Sequence, residues 1–69
     1  MTDLQIRIVK SYARNNMKLY PTANELHYHR NSVEYQMDKI KNETGLDPRK
    51  FDELCKLLFP MIGGELHGR

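Results

Sequence analysis

The chain has 69 residues, 39% hydrophobic and 29% charged, with a net charge of +2 and a single cysteine. A chain this short withdraws only about 60% of its unfolded surface from water, which leaves room for one domain and a small core. It argues against an elaborate enzyme, whose pocket needs a rigid supporting shell.

No apolar run approaches the roughly 20 residues of a membrane span. The opening MTDLQIRIVK lacks the basic and long apolar regions of a secretory signal. Cys55 alone forms no internal bridge. The expected compartment is the cytoplasm, and the expected class is a small soluble binding module. The charge is unevenly spread: residues 1–20 carry a net +3, residues 21–44 a net −1, and residues 45–69 balance. Bulk electrostatics alone do not propose nucleic acid, so the pattern must.

Thr2 and Gln5 form a T-x-x-Q capping box, in which each side chain satisfies an orphan N–H at a helix start. Leu4, Ile8 and Tyr12, with Ile6, Val9 and Ala13, recur at spacings of three and four, the apolar stripe of an amphipathic first helix. Asn15-Asn16 is a stop, because Asn tolerates the left-handed conformation that closes helices. Met17 to Pro21 reads as a connector with Leu19 and Tyr20 packed beneath it.

Thr22 and Glu25 form a second box, T-x-x-E, and Ala23 and Leu26 give a short second helix its buried side. The polar run His27 to Arg30 breaks that stripe. A new one follows at Val33, Met37 and Ile40, and Thr44-Gly45 ends the third helix with a glycine suited to positive φ. Asp47-Pro48 supplies an N-cap and a first-turn proline for a fourth helix. Phe51, Leu54, Cys55, Leu58 and Phe59 are expected to line its inner side, and Pro60 to close it. Leu57 and Met61 widen the stripe beyond one small core, and residues 63–69 read as a frayed, disordered tail. The expected fold is all-α: four helices in one domain over 1–69, a homeodomain-like three-helix core plus a C-terminal helix.

A short helix, a three-residue turn and a longer helix outline a helix-turn-helix. Ala23 is small where the two helices cross, Leu26 faces Val33 across the turn, and Tyr28 fills the gap beneath it. The third helix, about residues 30–44, then projects His29, Arg30, Asn31 and Ser32 at its positive dipole end. Arg grips guanine, Asn reads adenine, and Ser or Tyr holds phosphate. Tyr35 opposes the buried stripe, and Lys39 and Lys41 lie farther down the helix toward the DNA backbone. Glu34 and Asp38 fit this reading poorly, because carboxylates repel a polyanion unless they accept from a base or pair with a neighbour.

The same residues carry a family resemblance. Thr22-Ala23-x-x-Leu26, then HRNSVEYQMDKI from His29, then Thr44-Gly45-Leu46 resembles the C-terminal helix-turn-helix of PucR-type regulators. That family includes purine-catabolism and sugar-diacid transcription regulators, and its usual wording here is H-R-N-T-L-x-Y-R-L-x-R-I followed by an acidic stretch and T-G. The resemblance covers roughly residues 12–59. It implies a bacterial or phage module that binds operator DNA through Arg30, Asn31, Ser32 and Tyr35, with His29 at the helix start. Gln36 stands where the family usually has a basic residue, and Asp38 and Lys39 replace a similarly basic stretch. Domains of this family normally close a longer chain bearing a sensory region.

Plainer readings apply to other residues. His27-x-His29 has no nearby cysteine or carboxylate, so no metal is expected. Cys55 reads as an ordinary buried residue, and Tyr12, Tyr20 and Tyr28 as core. The cations of the first helix read as a solvated face. The expectation is therefore sequence-specific binding of double-stranded DNA by a transcription regulator, without catalysis, cofactor or metal. The DNA-facing set is His29, Arg30, Asn31, Ser32, Tyr35 and Lys39. Leu57, Phe59, Met61 and Ile62 are expected to support a homodimer. The alternative is a helical protein-interaction adaptor that keeps the fold and docks a protein on the fourth helix.

Overall fold

Thr2 caps the first helix, α1 (Asp3–Arg14), as its spacing to Gln5 predicts. The computed structural model describes residues 1–66, with side chains through Met61. In it the Thr2 hydroxyl accepts the Gln5 N–H at 3.1 Å, and Gln5 Oε1 accepts the Thr2 N–H at 3.0 Å. Gln5 is also buried, and its Nε2 donates to Gln36 Oε1 at 3.2 Å. The capping residue thus doubles as a polar tie to a later helix. Asn15 closes α1, and Asn16 and Met17 both take positive φ in the reversal that follows.

Three further helices complete an all-α fold: α2 (Leu19–Leu26), α3 (Arg30–Thr44) and α4 (Phe51–Leu66), with no strand among the described residues. α1 packs against all three, and α2 packs against α3. Ile8, Val9 and Tyr12 of α1 meet Ala23, Leu26, Val33, Met37, Ile40, Leu54 and Leu57 in one core. Burying a side chain such as Met37 or Ile40 contributes about 1.5–3 kcal/mol, which makes the α3 stripe a principal anchor of the domain.

Two helix starts depart from the sequence reading. α2 begins at Leu19, not at Thr22, and its N-cap Lys18 makes no side-chain cap bond. Thr22 lies inside the helix, fully buried, and its hydroxyl donates to the Lys18 carbonyl at 2.8 Å. The T-x-x-E spacing was a false start, because Pro21 is tolerated in a first turn and Leu19 packs against the core. Tyr20 stays exposed rather than packing beneath a connector.

Likewise, α4 starts at Phe51. Asp47 caps the preceding turn instead: its Oδ1 accepts the Arg49 N–H at 3.0 Å, and the Asp47 carbonyl accepts the Lys50 N–H at 3.0 Å.

The phase of α4 is the larger correction. Among its described side chains Leu54 and Leu57 are buried, and Leu57 is only 6% exposed. Phe51, Cys55 and Phe59, expected inside, are exposed, and Phe59 is 64% exposed. Docking on α1 fixes the rotation of α4, and the core has room for one side of it. Leu57 therefore cannot contribute to a dimer surface, Met61 is half-buried, and the Ile62 side chain lies outside the described residues. Pro60 does not end α4: the helix continues to Leu66 past the missing N–H. Of the expected tail, 63–66 continue this helical backbone, and 67–69 lie outside the described residues.

Candidate nucleic-acid interface

The turn between α2 and α3 is built from His27, Tyr28 and His29. His27 takes the left-handed conformation at φ 61°, and the Tyr28 N–H reaches back to the Ala23 carbonyl at 3.0 Å, closing α2. His29 then caps α3 with its imidazole, Nδ1 accepting the Asn31 N–H at 3.0 Å. The first turn of α3 holds no acidic residue, so its partial positive charge is unopposed there.

Val33, Met37 and Ile40 are fully buried, whereas His29, Arg30, Asn31, Ser32, Tyr35 and Lys39 are all exposed. Successive helical residues point about 100° apart, so this set divides between two clefts. Asn31, Ser32, Tyr35 and Gln36 rim a 380 Å³ groove floored by Leu4, Ile8 and Val33. His29 and Arg30 instead line a 210 Å³ cleft with Tyr20, Asn24 and Tyr28. Tyr28 borders both. Lys39 stands apart, its ammonium 5.9 Å from the Tyr35 ring centroid.

Arg30 is tethered from α2. It donates to the Tyr20 hydroxyl, and its guanidinium lies 5.1 Å from the centre of the Tyr20 ring. Tyr20 and Tyr28 are thus wall residues of the clefts rather than core, unlike Tyr12, which is buried. A phenol needs a wet or hydrogen-bonded end, and that requirement was the signal available in the sequence. Asn24 carried no such signal. Gln36, where the family pattern has a basic residue, is occupied by Gln5.

Several charges around the site are paired. Arg14 pairs with Glu25, and the Asn15 side-chain amide donates to the same carboxylate at 3.2 Å, joining α1 to α2. Hydrogen bonds from Ser11, Asn15 and Arg14 hold the Glu25 carboxyl below its ordinary range. Asp38, which the sequence left without a role, accepts from Arg49 Nη2 at 2.7 Å, while Arg49 Nε donates to Asp47 Oδ1 at 2.9 Å. Burial pushes the Asp47 carboxyl up, but hydrogen bonds from the Arg49 amide and guanidinium outweigh it and leave the group below the usual range. Among the described residues no group of three His, Cys, Asp or Glu could hold a metal ion, and no helix is long and apolar enough to cross a membrane.

A family model described as the PucR C-terminal helix-turn-helix domain matches residues 5–61. The uncharacterized protein YxkF of Bacillus subtilis (strain 168) is 36% identical over 45 residues, covering 65% of the chain and 15% of that protein. The chain therefore corresponds to a small part of that relative's length. No solved structure matches it.

Proposed function

Because the chain belongs to the family of PucR C-terminal helix-turn-helix domains, we propose that it binds double-stranded DNA sequence-specifically, α3 entering the major groove. It acts as, or within, a transcription regulator of the cytoplasm, without catalysis or cofactor. One observation carries this reading. α3 buries Val33, Met37 and Ile40 completely while exposing Arg30, Asn31, Ser32, Tyr35 and Lys39 beside an N-terminus free of acidic side chains.

In this reading Asn31 contacts a base edge, where a side-chain amide suits adenine, and Ser32 and Tyr35 hold phosphate along the larger groove. Arg30, tethered by Tyr20 at the neighbouring cleft, takes guanine or phosphate beside His29. Lys39 adds a backbone contact.

The test is selection from a labelled random-duplex pool at low and moderate salt, with Arg30→Ala/Asn31→Ala alongside. The expected result is an enriched sequence whose binding falls steeply with salt and is lost in the double variant. A folded wild-type chain that enriches nothing overturns the proposal.

A further inference from the structure

We propose that Arg49 is a positioning residue for DNA recognition, holding the Asp38 carboxylate so that the line of α3 running through Asn31, Tyr35, Asp38 and Asn42 presents no free anion. The inference rests on the DNA-binding reading above and deepens it. Asn31, Tyr35, Asp38 and Asn42 follow one another at spacings of four, three and four, and all four are exposed. They form one line along the helix, opposite the buried stripe. Asp38 is the only carboxylate among these four, and its side chain is 63% exposed. An unpaired carboxylate there meets the phosphate backbone as a like charge, which costs affinity and slows encounter.

Arg49 reaches Asp38 from outside the helix. It sits in the turn before α4, and its guanidinium is fixed from the buried side. Arg49 Nε donates to Asp47 Oδ1, and the Asp47 side chain is only 11% exposed. The Asp47 N–H in turn donates to Glu53 Oε1 at 2.6 Å, linking the turn to α4. Arg49 therefore arrives pre-positioned, with Nη2 directed at Asp38 Oδ1. An ammonium would not serve two carboxylates from separate elements through directed N–H groups on one plane.

The experiment measures affinity by fluorescence anisotropy on the duplex that the wild type selects. Arg49→Gln, Asp38→Asn and the double variant are compared at two salt concentrations, with a thermal midpoint for each. Arg49→Gln is expected to weaken binding about fivefold, the scale of one exposed like-charge contact. Asp38→Asn alone should bind at least as well as wild type. The double variant should recover to within about twofold of Asp38→Asn, whatever its thermal midpoint.

That recovery separates positioning from a merely structural role, since a loss of fold would not be cured by removing the carboxylate. Should Arg49→Gln unfold, Arg49→Lys supplies the comparison: a smaller loss, again cancelled by Asp38→Asn. A loss that Asp38→Asn fails to cancel means that Arg49 touches DNA itself and overturns the proposal. So does unchanged binding by Arg49→Gln. If the wild type selects no duplex, the DNA reading itself falls, an outcome distinct from a failed recovery.

Discussion

The imidazole of His29 accepts the backbone N–H of Asn31 at 3.0 Å, so the residue that opens α3 also caps it. A ring nitrogen does here what a Ser or Asp oxygen commonly does at helix starts. His29→Ala should cost about 1 kcal/mol, the usual worth of an N-cap, read from urea denaturation. His29→Asp should keep most of that stability, because a carboxylate caps equally well and suits the dipole. It should nevertheless weaken duplex binding by placing an anion at the DNA-facing end. Equal stability of wild type and His29→Ala would mean that the imidazole does not stabilise the start of α3.

Leu57 and Phe59 test the rotation of α4. Leu57 lies in the core with Leu54, whereas Phe51 and Phe59 stand in solvent. Leu57→Ala should cost about 2–5 kcal/mol through lost contacts and a cavity. Phe59→Ala should stay within about 0.5 kcal/mol of wild type. If the exposed side of α4 supports self-association, Phe51→Ala/Phe59→Ala should abolish a concentration-dependent mass in light scattering without lowering the denaturation midpoint. The reverse pattern of stabilities would mean that α4 is rotated.

Acid should weaken the fold through Asp47. Burial raises this carboxyl, but the Arg49 hydrogen bonds prevail and hold it below its ordinary value. The unfolded chain then binds the proton more readily than the folded one. The stabilisation is complete above the unfolded pKa of about 4 and is lost as pH falls through the folded value. Glu25 acts in the same sense, through Ser11, Asn15 and Arg14. Thermal midpoints should therefore drop below about pH 4. Asp47→Asn should begin lower at neutral pH and descend less steeply. Parallel acid limbs in the two proteins would clear Asp47 of this role.

Features written in short-range chemistry were legible in the chain. The Thr2–Gln5 box, the Asn15-Asn16 stop, the Val33/Met37/Ile40 stripe and the Gly45 cap at φ 78° each depend on residues within a few positions of one another. Because that stripe fixes the phase of α3, the exposure of Arg30, Asn31, Ser32, Tyr35 and Lys39 followed from it. The second capping box misled because Thr22 has another use for its hydroxyl once Leu19 packs against the core.

α4 was illegible for a different reason. Leu54, Leu57, Leu58 and Phe59 offer apolar residues on several sides, so periodicity leaves its rotation undetermined until α1 is there to choose. The grouping of the site is of the same kind. Tyr20 meets Arg30 ten residues away, and Arg49 meets Asp38 eleven residues away, each across a chain reversal. The existence of four helices, the caps at Thr2, Asn15 and Gly45, and the outward face of α3 were set by local hydrogen bonding and period alone. Which tyrosine holds Arg30, which cation quiets Asp38 and which face of α4 is buried were decided only when the helices packed, because those contacts depend on how the elements cross.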